Sequence, residues 1–172
     1  ECAEQKKLPA AANALVRKFR DTPDERRVRP VHAQFSNGIR LDGFILPSQE
    51  VRAGEHIFLK LRWNVSGIES DYEPLAVWIH FLDAQGETVF QGDHGLVESL
   101  FMGSLPVNFA PDGFYRIQVP ADTPPGEYRL QIGLWVPRSQ KRLPLIVKPA
   151  EMPSDKHGVE IARVTVPGKF SD

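Results

Sequence analysis

Apolar residues recur at every second position through two stretches of the chain. Ile57, Leu59, Leu61, Trp63 and Val65 alternate with Phe58, Lys60, Arg62 and Asn64, and Tyr128, Leu130, Ile132, Leu134 and Val136 alternate with Arg129, Gln131, Gly133 and Trp135. A period of two is that of a half-buried antiparallel strand, whose side chains point to the core and to solvent in turn. A third stretch, LAVWIHFL from Leu75 to Leu82, is apolar on both faces apart from His80 and predicts a strand central in its sheet. Turn-forming residues divide these runs at Ser36-Asn37-Gly38, Arg52-Ala53-Gly54-Glu55, Asp83-Ala84-Gln85-Gly86, Pro111-Asp112-Gly113, Thr123-Pro124-Pro125-Gly126 and His157-Gly158. Between them strands are predicted near 39–46, 56–65, 75–82, 87–91, 105–109, 113–119, 126–136, 142–148 and 158–166. This spacing predicts an all-β fold, an immunoglobulin-like antiparallel β-sandwich over residues 31–172, with a small barrel as the alternative.

Ahead of Val31 the period is helical. Leu8, Leu15, Val16 and Phe19 fall on one stripe, Ala10, Ala11 and Ala12 favour the helix, and Thr22-Pro23 ends it. Residues 1–30 thus read as a short N-terminal amphipathic helix with a basic linker, holding eight basic against five acidic side chains. That gives this segment +3 and the remainder −4. Leu15, Val16 and Phe19 are its candidate interface, facing a partner protein, membrane headgroups or the protein's own domain. The stretch 92–108 carries Leu100, Phe101 and Met102 among other apolar residues, and it is expected to fold over an open end of the sandwich or to enter another subunit.

Composition narrows the partners. The 172 residues carry a formal net charge of −1, which gives the chain no electrostatic reason to seek nucleic acid. No apolar run reaches the ~18 residues of a membrane span, so contact with a membrane is expected only through the helix or a lipid. Cys2 is the single cysteine, which excludes an internal disulfide framework and a cysteine-built metal site. A cysteine near the front of a chain is a lipidation candidate of the bacterial lipoprotein type, although Glu1 precedes it here.

Three segments, FSNGIRLDGFILPSQEVRAGEHIFLKLRWNV (35–65), LAVWIHFLDAQGETVFQGDHG (75–95) and VPADTPPGEYRLQIGLWVPRSQKRLPL (119–145), together carry a resemblance. The marks are Ile39-Arg40-Leu41-Asp42-Gly43-Phe44, the turn Val51-Arg52-Ala53-Gly54-Glu55 before a strand ending in Trp63, and His80-Phe81-Leu82-Asp83 with Gly86. Pro124-Pro125-Gly126-Glu127-Tyr128 leading to Gly133-Leu134-Trp135 completes them. The chain resembles the immunoglobulin-like β-sandwich module of bacterial and archaeal envelope proteins, as found at the extracytoplasmic end of dolichyl-phosphate-mannose-type membrane glycosyltransferases. The resemblance implies an extracytoplasmic, non-catalytic module associated with envelope glycans or envelope complexes.

The residues point the same way on chemistry. There is no GxSxG elbow, and the histidines His32, His56, His80, His94 and His157 stand singly, with no HxH or HxxxH spacing, so neither nucleophilic catalysis nor a metal is expected. No cofactor is expected. Asp83, Glu87, Asp93 and Glu98 could supply a carboxylate pair, but acids at hairpin ends are the usual solvating choice and nothing marks two of them. Glycan binding needs rings beside planar polar groups. Trp63 is in phase with the core, whereas Trp135 shares its face with Arg129 and Gln131, and Trp78 shares its face with His80. If their strands adjoin, Trp78, His80, Arg129, Gln131 and Trp135 form one outward patch, a candidate glycan or partner face. The expected function is a binding or scaffolding subunit of a cell-envelope system in the periplasm or at the cell surface. The alternative is a structural subunit of a surface appendage or envelope complex, with the helix and 92–108 as intersubunit contacts.

Overall fold

The computed structural model describes residues 27–65, 74–96 and 112–168. Eleven strands form in them: β1 (Arg29–Phe35), β2 (Arg40–Ile45), β3 (His56–Asn64), β4 (Ala76–Leu82), β5 (Thr88–Gln91), β6 (His94–Gly95), β7 (Asp112–Gln118), β8 (Gly126–Val136), β9 (Lys141–Arg142), β10 (Leu145–Val147) and β11 (Gly158–Val166). One sheet runs β10-β1-β2-β3-β7; the other runs β11-β8-β4-β5, with β6 also on β4 and β9 also on β8. All pairings between these strands are antiparallel. The two sheets bury their inner faces against each other, which makes the molecule an all-β sandwich.

The alternating runs account for the core. Ile57, Leu59, Leu61 and Trp63 of β3 and Leu130, Ile132 and Leu134 of β8 are all 3% exposed or less, and they meet Val77, Ile79 and Phe81 of β4. Rings also pack within each layer: in the first sheet Phe35 and Trp63 lie 6.2 Å apart, and in the second Phe81 stacks on Phe90 at 4.2 Å, with Tyr128 edge-on to Phe90. The Tyr128 hydroxyl donates to the Pro124 carbonyl at 2.6 Å. This is the tyrosine-corner contact of Greek-key sandwiches, and it ties the start of β8 to the loop before it. As its two apolar faces predict, β4 lies inside its sheet, between β8 and β5.

The fold departs from the sequence reading at four places. β1 was not expected as a strand: Val31, Ala33 and Phe35 alternate as buried residues with His32 and Gln34, but the run is short and only Val31 and Phe35 are strong strand formers. It also starts the sandwich at Arg29, inside the segment read as linker. The single strand expected near 142–148 is two: β9 pairs with β8 in one sheet and β10 pairs with β1 in the other. Pro144, which has no N–H to give a ladder, stands where the chain changes sheets. The short β6 was not foreseen either. The predicted helix, the strand near 105–109, Cys2, Leu15, Val16, Phe19, Leu100, Phe101 and Met102 lie outside the described residues.

Two bulges interrupt the first sheet side by side. The β1–β2 register shifts between Pro30 and Ala33, and the β2–β3 register shifts between Leu41 and Gly43. At the first of these His32 takes a left-handed φ of 59°, a conformation that costs a non-glycine residue about 1 kcal/mol or more.

Candidate functional site

The strands carrying the candidate patch adjoin. β4 pairs with β8 so that Ala76 opposes Trp135, Trp78 opposes Gly133, His80 opposes Gln131 and Leu82 opposes Arg129. Trp78, His80, Arg129, Gln131 and Trp135 therefore share the outer face of the second sheet, because the alternate residues Val77, Ile79, Phe81, Leu130, Ile132 and Leu134 all point into the core.

Trp78 does not stand out from this face as the alternation alone suggests. It is only 2% exposed. Its indole lies over the sheet where Gly133 and Gly158 leave room: a Cβ on Gly133 would overlap Cε2 and Cζ2 of the indole, and one on Gly158 would overlap Cη2. From the other side the Arg142 guanidinium sits 4.7 Å from the ring centroid, and the His80 ring lies 4.9 Å away. A cation over an indole face is attracted by the ring's quadrupole. The ring is thus used up by packing, and a sugar would find Arg142 above it. Trp135 is half-buried, with its indole N–H itself buried.

His80 is held from both ends. Thr88 Oγ1 lies 3.3 Å from Nδ1 and Asp93 Oδ1 lies 3.7 Å from Nε2. Burial lowers its pKa from the ordinary value; Asp93 pulls it up, Arg142 pushes it down, and burial wins. The imidazole is accordingly neutral at pH 7. Asp93 does a second job. Its Oδ1 accepts the Ile79 N–H at 3.0 Å, at the gap where Gly92-Asp93 separates β5 from β6 along the edge of β4. A side chain there takes the place of a missing ladder acceptor.

Across β8 the face is built of polar pairs. The Gln131 amide donates to Asp155 Oδ2 at 2.9 Å, while Asp155 Oδ1 accepts the N–H groups of His157 and Gly158, each at 2.7 Å. Burial would raise the Asp155 pKa, but these three hydrogen bonds to the charged form outweigh it and the net shift is downward. Arg129 reaches Glu160 at 3.7 Å, and Arg163 joins Glu127 at 2.8 Å and Glu160 at 3.5 Å. Three donors in this face find no acceptor among the described residues: Trp78 Nε1, Arg129 Nε and Trp135 Nε1.

No family model and no curated protein matches the chain. Among solved structures it is similar to the crystal structure of the C-terminal domain of Wzt, at 11% sequence identity and a TM-score of 0.48, over 89% of this chain and 86% of that one.

Several groups that shape the face carried no signal of their own in the sequence. Arg142 lies in a segment read as one strand, and Asp155 and Glu160 act through pairing across strands that only the fold brings together. Gly133 carried one: a glycine in phase with Gln131 and Trp135 marks a place where something must approach the sheet closely. Among the described residues no three His, Cys, Asp or Glu side chains converge as metal ligands would, and no helix is long and apolar enough to cross a membrane.

Proposed function

We propose that this chain is a non-catalytic binding or scaffolding subunit of a cell-envelope system, outside the cytoplasm, and that the outer face of β4 and β8 is where it takes a glycan. The observation that carries the glycan reading is the placement of the half-buried Trp135 on one face with Arg129 and Gln131. Sugar rings need an apolar face to stack on and planar donors for their hydroxyls, and this face offers both. The envelope setting rests on the resemblance of segments 35–65, 75–95 and 119–145 to envelope β-sandwich modules.

Affinity electrophoresis tests it, with the full chain run through gels carrying envelope polysaccharide. Retardation that Trp135→Ala abolishes, in a variant that still folds, is the expected result. Equal migration with and without polysaccharide would remove the glycan from the reading.

One observation favours the second reading, a structural subunit without glycan affinity. Ile146 and Val147 are 60% and 47% exposed on β10, the strand that ends its sheet. An apolar edge strand is a template for pairing with another chain. Light scattering on the full chain decides it: a multiple of 19.3 kDa supports assembly, and a monomer counts against it.

A further inference from the structure

The first sheet is buried on part of its outer face as well as on its inner one. Ile45 of β2 opposes Lys60 of β3, and Lys60 opposes Phe114 of β7, so the three form a row across these strands. The row points away from the core, because Leu59 and Leu61 beside Lys60 and Tyr115 beside Phe114 belong to the core and Ile45 does not. Yet Ile45 is only 6% exposed and Lys60 only 7%. Phe58 of β3 widens the row, its ring stacked on that of Phe114 at 6.2 Å, and both rings are half-buried. In a two-layer sandwich an outer face meets solvent, so burial there requires a further layer of chain.

That layer begins just ahead of β1. A Cβ on Gly43 would stand 2.6 Å from Cγ1 of Val28, and Val28 lines one small cavity together with Ile45, Lys60 and Arg62, so the chain enters the sandwich over the outer face of β2 and β3. Residues 1–26 lie ahead of this point. Leu8, Leu15, Val16 and Phe19 make one apolar stripe in them, roughly 17 Å long as a helix. Phe19 stands nine residues before Val28, a reach of up to roughly 30 Å, whereas β2 and β7 are only about 10 Å apart. Asp21, Asp24 and Glu25 fall between the stripe and Val28, so the segment brings carboxylates to the side where Lys60 and Arg62 stand. Both cations have partners, as a lysine this buried requires.

We propose that the outer face of the first sheet is the docking surface of the protein's own N-terminal segment, with the stripe of Leu8, Leu15, Val16 and Phe19 laid across Ile45, Phe58 and Phe114. Of the partners that the stripe's sequence allows, a separate protein, membrane headgroups or its own domain, it takes the last. Residues 66–73 and 97–111 are the competing occupants. They meet this sheet only at one end, after Asn64 of β3 and before Asp112 of β7, while Val28 already lies over β2 and β3. Docking there leaves the β4–β8 face open. The inference goes beyond the proposed function and does not depend on it, since Trp135 belongs to the other sheet.

Paramagnetic broadening in NMR spectra of the full chain tests it. A nitroxide is placed at Arg17→Cys, on the side of the helix opposite the stripe, with Cys2→Ser so that the chain carries a single thiol. The amides of Ile45, Phe58, Lys60 and Phe114 should be broadened more than those of Arg129, Gln131 and Trp135. Phe19→Ser should abolish that difference; it changes no residue of the sandwich, so the fold is expected to stay intact. Phe58→Ser, which removes the surface instead of the segment, should weaken it severalfold. A mixture of isotope-labelled protein without nitroxide and unlabelled protein with it should show no broadening of the row. The proposal is overturned if the row is not broadened, which would leave its cover to 66–73 or 97–111, or if the β4–β8 amides are broadened more. It is overturned equally if Phe19→Ser leaves the pattern unchanged, or if the mixture reproduces it, which would make the occupant a second copy.

Discussion

The indole of Trp78 occupies the space that a side chain on Gly133, its cross-strand partner, would need. The pair explains why a tryptophan on the outer face of a sheet is only 2% exposed. It also predicts a coupling. Gly133→Ala should destabilise the fold by about 1–3 kcal/mol, the usual cost of overpacking, and Trp78→Ala by about 3–5 kcal/mol. In the double variant the alanine methyl loses its overlap with the indole and keeps only that with the His157 carbonyl oxygen, so the two losses should fall short of additive in urea unfolding. Additive losses would mean that the indole does not rest on Gly133.

The two outer-face tryptophans should separate by experiment. Trp135→Ala removes a half-buried ring and is expected to cost less than about 2 kcal/mol, while abolishing glycan retardation. Trp78→Ala should be the more destabilising of the two. Thermal unfolding beside affinity electrophoresis gives both readings, and the opposite ranking would contradict the roles assigned to these rings.

Acidification should weaken the fold through two histidines. Burial lowers the pKa of His80, and burial with the nearby Arg116 lowers that of His56. The unfolded chain therefore binds protons at about pH 6.5 that the folded protein refuses until lower pH. Stability rises with pH through that window, so unfolding midpoints should fall from about pH 7.5 to about pH 5. The double variant His56→Gln, His80→Gln should flatten the fall; an unchanged slope would place the titrating groups elsewhere.

Tyr128→Phe deletes only the hydroxyl that donates to Pro124. Because Tyr128 is 4% exposed, the loss should be about 1–2 kcal/mol in chemical denaturation. Glycan binding should be untouched. A variant as stable as the wild type would show that the corner contact adds nothing.

Much of the sandwich could be read from the chain because its central strands are half-buried, and period two then records the core directly. β3 and β8 were legible for that reason, and β4 as a run apolar on both faces apart from His80. β1 was not, because its run is short and only Val31 and Phe35 in it are strong strand formers, and β9 and β10 were merged because Lys141-Arg142 carries no apolar signal of its own beside Leu145–Val147. The outer face of β4 and β8 was legible as a set of in-phase residues, whereas the burial of Trp78 depends on Gly133, Gly158 and Arg142 from three other strands.

The claim that the β4–β8 face takes a glycan is most directly tested by following the indole N–H signals of the three tryptophans by NMR while envelope polysaccharide fragments are added. Trp135 should shift with ligand concentration, while Trp63, in the core, stays fixed. Saturation of the protein with no movement at Trp135, or equal movement at Trp63, would contradict the claim.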